Sequence, residues 1–187
     1  MKIGVLALQG AFIEHIKILN KLGVETVEIR QRNDLLERLS GIIIPGGEST
    51  VMSKLLDDLG IRDQLLRLAH DGVPFFGTCA GLILMSSDSG DERCKPLNLI
   101  DCKVKRNAYG RQLGSFSTFA DFKGIGEIPV TFIRGPYVEK CGEACVVMCE
   151  VDGKIVAVRQ EKHLACAFHP ELTNNFSVHE CFLNSCV

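Results

Sequence analysis

Residues 72–85 read GVPFFGTCAGLILM. The apolar run 73–76 has the character of a buried strand, and 80–85 is apolar and compatible with a helix. Almost nothing separates them except Gly77-Thr78-Cys79-Ala80-Gly81, a G-x-C-x-G. This is the cysteine version of the strand–turn–helix nucleophile elbow. A turn this tight requires residues nearly free of side chain on either side of the nucleophile, and Gly77 and Gly81 meet that need. Such a turn sets the Cys79 sulfur at the carboxyl end of a strand and at a helix N-terminus, where the dipole favours thiolate over thiol. The next backbone N–H, that of Ala80, is placed to stabilise an oxyanion. The competing reading is a buried structural cysteine between two packing glycines.

Outward from the elbow, the first half alternates strand and helix. Residues 2–8 form a strand. Residues 12–21 form a helix, with Phe12, Ile16 and Leu19 at helical spacing and Gly23 as its stop. Strand 24–30, a short helix 35–39 and the fully apolar strand 41–44 follow. Ser49 or Thr50 is expected to cap a helix over 51–59, and another helix covers 62–70. This alternation predicts an α/β fold: a three-layer, flavodoxin-like sheet of mostly parallel strands. Functional groups in such a sheet gather at the carboxyl ends of the strands. Gln9-Gly10, Gly46-Gly47-Glu48 and Cys79 all fall at such ends, so three separate turns converge on one sheet edge.

After about residue 97 the helical period disappears. Strands are expected at 99–105, 114–119, 128–132, 144–151, 154–160 and 163–168, with a closing helix over 175–183. Asp152-Gly153 marks a hairpin. The second half is therefore a β-rich addition, and residues 1–187 read as one domain.

A net charge of −2 supplies no field that would draw nucleic acid or an anionic membrane. The lack of Trp argues against a base-stacking surface, and no run is long enough for a membrane span. The first strand does not have the make-up of a signal peptide, so a cytoplasmic location is expected. The nine cysteines are then expected to stay reduced. Cys141, Cys145 and Cys149 are spaced by four, which on one strand would put them on one face. They lack the C-x-x-C pairing and neighbouring His of a zinc set, so no metal is assigned.

A cysteine nucleophile needs a base and a group to orient it. His169-Pro170-Glu171 offers both: at a strand end, residues i and i+2 point the same way, so Glu171 can hold one ring nitrogen while the other faces Cys79. In Pro45-Gly46-Gly47-Glu48-Ser49-Thr50 the glycines allow close backbone approach to a ligand, and the Gly47 N–H can join that of Ala80 in an oxyanion hole. The segment lacks the lysine of a phosphate loop. Arg106-Asn107-Ala108-Tyr109-Gly110-Arg111-Gln112 suits a carboxylate and an amide. Arg134 ends a strand stopped by Gly135-Pro136. His15, His70 and His179 fall on helices and read as surface or packing residues.

Taken together, L-A-L-Q-G (6–10), P-G-G-E-S-T, G-T-C-A-G, R-N-A-Y-G-R-Q, F-I-R-G-P and H-P-E-L-T resemble the class I (triad) glutamine amidotransferases. Within them the chain resembles the glutaminase subunits of pyridoxal 5′-phosphate synthase. The resemblance runs the length of the chain in the family's order. It implies hydrolysis of L-glutamine to glutamate and ammonia through a thioester on Cys79, with His169 moving the proton and Glu171 orienting it. It implies glutamine contacts at Gly47, Glu48, Ser49, Arg106, Ile133 and Arg134, and an oxyanion hole at Gly47 and Ala80. The ammonia would pass to a separate (β/α)8-barrel synthase subunit in a complex of twelve plus twelve chains, with Gln9 near that partner. Pyridoxal phosphate is then a pathway product, and no cofactor is implied. The family more often has alanine at position 135 and phenylalanine at 109. Two alternatives stay open at this point: a glutaminase serving another synthase, and a cysteine hydrolase or peptidase of related fold.

Overall fold

A computed structural model describes residues 1–106 and 115–187. The first half runs β1 (Lys2–Leu6), α1 (Phe12–Lys21), β2 (Glu25–Ile29), β3 (Gly41–Ile44), α2 (Ser49–Asp58), α3 (Arg62–His70), β4 (Phe75–Thr78) and α4 (Ala80–Met85). The second half runs β5 (Ser86–Asp88), β6 (Ile100–Lys105), β7 (Ser115–Phe122), β8 (Gly126–Ile133), β9 (Tyr137–Cys141), β10 (Val146–Val151), β11 (Lys154–Gln160), β12 (His163–Cys166) and α5 (Ser177–Leu183).

Among the described residues these strands form one sheet, ordered β2-β1-β3-β4-β12-β11-β10-β7-β8, with β5, β6 and β9 branching from β11. The first five strands are parallel. Their order matches a flavodoxin-like sheet in which β12, from the far end of the chain, takes the fifth place. The order reverses beside β1, so the crevice above the β1 and β3 carboxyl ends is the expected ligand position. Beyond β12 the pairing turns antiparallel. The Asp152-Gly153 turn, with both residues at positive φ, joins β10 to β11 as the hairpin signal predicts.

Burial follows strand position. β3 and β4 lie inside the sheet and are buried at every residue. In β6 the pattern alternates: Ile100, Cys102 and Val104 are buried while Asp101, Lys103 and Lys105 face out. α1 and α5 share one face, where Phe76 meets His15, His179 and Phe182. α4 packs against β3, β4 and β12, with α2 beside it.

Several local expectations are corrected. The helix expected at 35–39 is a 3-10 turn over Arg32–Leu36, closed by reciprocal bonds between Gln31 and Asp34. Helix α2 begins earlier than expected and is capped by Glu48, whose carboxylate accepts from the Thr50 and Val51 N–H groups. Ser49 and Thr50 lie inside that helix instead of capping it. Strands β5 and β9 were not expected. Cys141, Cys145 and Cys149 do not share a strand face: Cys141 ends β9, Cys145 precedes β10 and Cys149 lies within it. Burial raises the Cys149 thiol to about 11 and the Cys102 thiol to about 12, so both stay protonated at neutral pH.

Candidate active site

Cys79 sits between β4 and α4 with φ +50° and ψ −100°, in a region that non-glycine residues enter only when the surroundings compel it. The compulsion comes from both sides. A Cβ on Gly81 would stand 2.1 Å from the Ile44 carbonyl oxygen, and one on Gly77 would stand 2.6 Å from the Gly81 backbone. Only glycine lets α4 lie this close to β3 and β4. The Cys79 N–H donates to the Cys166 carbonyl at 2.8 Å. Cys79 is thereby tied to β12, the strand that leads into His169.

His169 follows β12, and its N–H donates to the Thr131 carbonyl of β8 at 2.7 Å. Its Nδ1 meets Glu171 Oε1 at 2.7 Å, and both side chains are buried. Glu171 reaches the ring by a route other than the expected strand end. Pro170, with its fixed φ, opens a 3-10 turn over Pro170–Leu172, and that turn brings the carboxylate back under the imidazole. Burial by itself would lower the His169 pKa. Hydrogen bonds to Cys79 and Glu171 outweigh it and raise the ring to about 10. His169 therefore carries its proton at neutral pH, with one N–H for Glu171 and the other available to Cys79. Burial also opposes ionisation of Glu171, yet the neighbouring His15 and His169 hold it below the usual carboxylate range.

A cavity of about 410 Å³ opens over Cys79. Gly47, Glu48, Ser49, Arg106, Ile133 and Arg134 line it, together with Ala80. The structure thus brings Cys79, Ala80 and all the residues expected to contact glutamine to one hollow, while His169, Glu171 and Gln9 are not part of its lining. Ile83 and Pro136 line it as well, and the sequence reading missed them because apolar wall residues carry no chemical signature. As the first residue of α4, Ala80 owns one of the N–H groups that a helix leaves without an internal partner. Gln9 lies behind the Gly46-Gly47 loop, where its Nε2 donates to the Glu48 carbonyl at 3.0 Å. The Ala11 N–H donates to the Gly46 carbonyl at 3.0 Å, and a Cβ on Gly10 would strike that carbonyl. The β1 and β3 turns are therefore locked together at the switch point of the sheet.

Arg106 closes one side of the cavity. Its guanidinium is paired with Asp91 and stands 3.5 Å from Glu48 Oε1. Asp91 also holds Arg93 at 2.8 Å, and the two arginines, Arg93 first, keep its carboxyl well below the usual range. Asp91 was not anticipated, since its link to Arg106 spans 15 residues with no motif between them. Asn107, Ala108, Tyr109, Gly110, Arg111 and Gln112 of the same segment lie outside the described residues. Among the described residues no three His, Cys, Asp or Glu side chains gather closely enough to hold a metal ion. No helix among them is long and apolar enough to cross a membrane.

An elbow cysteine with a His–Glu pair behind it, on a curled mixed sheet of this order, defines a class I glutamine amidotransferase-like protein. The chain belongs to the SNO glutamine amidotransferase family, which matches residues 5–187. It is 49% identical over 189 residues to "Pyridoxal 5′-phosphate synthase subunit PdxT" of Haemophilus influenzae, covering 100% of this chain and 98% of that one. It is 50% identical over 193 residues to the protein of the same name from Streptococcus pneumoniae, with the same coverage. Among solved structures, one described as a glutamine amidotransferase superimposes with a TM-score of 0.93 at 40% identity, covering 98% of each chain. The structure of PurLQS from Thermotoga maritima matches with a TM-score of 0.72 at 16% identity, over 99% of this chain and 96% of that one, a likeness of fold alone.

Proposed function

We propose that this chain is the glutaminase subunit of a pyridoxal 5′-phosphate synthase. The observation that carries the proposal is the His169–Glu171 hydrogen bond of 2.7 Å set behind Cys79 at positive φ, in a glutamine amidotransferase of this family. Family membership and the shared name of the relatives favour this reading over a peptidase or a glutaminase serving another synthase.

Cys79 Sγ attacks the side-chain carbonyl carbon of glutamine, and the Gly47 and Ala80 N–H groups receive the charge on the oxygen. As the carbon–nitrogen bond breaks, the His169 proton passes to the departing nitrogen and ammonia leaves a thioester on Cys79. Water then attacks the thioester, His169 takes its proton, and glutamate is released with the thiolate restored. Glu171 keeps the ring in line throughout. Glu48 and Arg106 offer opposite charges to the ammonium and carboxylate of the amino acid, and Ser49, Ile133 and Arg134 complete its contacts. The ammonia passes to a (β/α)8-barrel synthase in an assembly of twelve glutaminase and twelve synthase chains. Gln9 lies at that contact and couples it to the oxyanion loop. In this reading the chain is one cytoplasmic domain, and pyridoxal phosphate is made by the complex without serving this chain as a cofactor.

Glutamate release from glutamine tests the reading. It should be slow with the chain alone, rise on addition of the barrel synthase, and disappear in Cys79→Ala. Hydrolysis that survives this substitution would remove Cys79 from the mechanism.

A further inference from the structure

Two histidines stand behind the triad and take no part in the reaction as described. His15 comes from α1 and His179 from α5, and both are completely buried. Their rings meet at 2.9 Å, His15 Nδ1 to His179 Nε2. His15 Nε2 then has two neighbours: Thr78 Oγ1 at 3.1 Å, one residue before the nucleophile, and Glu171 Oε2 at 3.6 Å. Glu171 Oε1 is held by His169, whereas Oε2 is buried with no hydrogen-bond partner. A bare carboxylate oxygen in the interior is costly, and an N–H directed at it reduces that cost.

The proton positions follow from the contacts. Burial holds both imidazoles below their usual pKa, so each is neutral and carries one N–H. The 2.9 Å contact between them accommodates one proton. On His15 Nδ1, that proton would leave His15 Nε2 turning a lone pair toward Glu171 Oε2. His179 would then bury an N–H at Nδ1, an atom with no partner. On His179 Nε2, the proton leaves His15 with its N–H at Nε2, facing both Thr78 Oγ1 and Glu171 Oε2. A lone pair on His179 Nδ1 and the Thr78 hydroxyl proton are then unmatched. Each arrangement leaves one buried donor unmatched, but only the first turns a lone pair onto the Glu171 carboxylate, so the second is the lower in energy.

We infer that His15, as the Nε2–H tautomer set by His179, is a positioning residue of the glutaminase reaction that steadies Glu171 Oε2 so that Oε1 stays on His169. The inference rests on the proposed hydrolysis of glutamine by the triad. It makes the packing of α1 and α5 a condition of catalysis, because each helix supplies one ring of the pair. The other titratable groups around the cluster are Glu14 on α1, His169 beside the 3-10 turn, Cys166 on β12 and Cys79 itself. Loss of the His15 N–H favours the protonated form of Glu171. Activity should then fall away at a higher pH on the acid side.

The test compares His15→Leu and His15→Gln with the wild-type chain in complex with its synthase. In His15→Leu, kcat for glutamate release should fall by about tenfold at nearly unchanged KM, on the scale of losing an orienting partner. The acid limb of kcat/KM should move to higher pH. His15→Gln keeps a side-chain N–H and should recover most of both. A wild-type kcat and pH profile in His15→Leu, or no recovery in His15→Gln, would overturn the inference. An inactive wild type would instead sink the glutaminase reading. The geometry is checked without activity by nitrogen-15 NMR of the imidazoles. His15 neutral with its proton on Nε2 over about pH 6 to 8 supports the arrangement, while a proton on Nδ1 or a charged ring overturns it.

Discussion

At the scale of single residues, Cys79 stores strain that the rest of the elbow enforces. A non-glycine residue held at such angles costs about 1–3 kcal/mol, while glycine adds about 0.5–1 kcal/mol of chain entropy to the cost of folding. Cys79→Gly should therefore be more stable than Cys79→Ala by about 1 kcal/mol in denaturant unfolding, with both inactive. A more stable Ala variant would mean that the backbone relaxes once the sulfur is gone. His169 gives a pH signature of its own. Its pKa is raised from 6.5 to about 10 on folding, so its contribution to stability is fully present below 6.5 and is lost as pH rises through about 10. Glu171→Gln removes one of the groups that raise it, which closes that window at its upper end. The stability difference between wild type and Glu171→Gln should shrink across this range in thermal melts. A constant difference would show that Glu171 does not hold the imidazolium.

At the scale of elements, one side chain at the start of α2 stands in two settings. Glu48 caps the helix through the Thr50 and Val51 N–H groups while its carboxylate also borders the cavity beside Arg106. Glu48→Ala should cost about 1 kcal/mol of stability and raise KM for glutamine more than it lowers kcat. Glu48→Gln retains an acceptor for the cap and loses the charge, so stability should return while KM stays high; KM returning with it would place the substrate ammonium elsewhere. This double role also explains why the cap was misread. Ser49 and Thr50 are strong capping types and Glu is not, so local preference pointed one residue or two too far along. Where local pattern and tertiary packing agree, the reading was faithful: α1, α3 and α4 begin and end where periodicity and glycine stops put them, and β3 is the apolar run cut by Pro45. Strand β5 has three residues and β9 starts directly after Pro136, too little pattern to see. Of the site, the elbow, Gly46-Gly47 and His169-Glu171 were legible because each is a short contiguous motif. His15 and His179 were legible as helix residues only. Periodicity says that a residue faces inward, not that it meets a ring 164 positions away.

At the scale of the whole molecule, the sheet runs across the point where the sequence changes character. β12, contributed by the β-rich half, pairs with β4 on one side and β11 on the other. Remove the second half and β4, buried at every residue, becomes an open apolar edge. The proposed triad is split in the same way, with Cys79 on the first half and His169 and Glu171 on the second, joined by the Cys79 N–H bond to Cys166. Short parallel strands and one continuous core then imply that neither half holds its structure without the other. The chain should unfold as one cooperative unit, with calorimetric and van't Hoff enthalpies equal and with near- and far-UV circular dichroism transitions coinciding. Loss of the His169 environment, followed by NMR, should fall on the same curve. A fragment ending near residue 97 should fail to fold, since β12 is absent from it. Two resolved transitions, or an ordered fragment, would show instead that the parallel half is a domain in its own right and that the β-rich half docks onto a completed sheet.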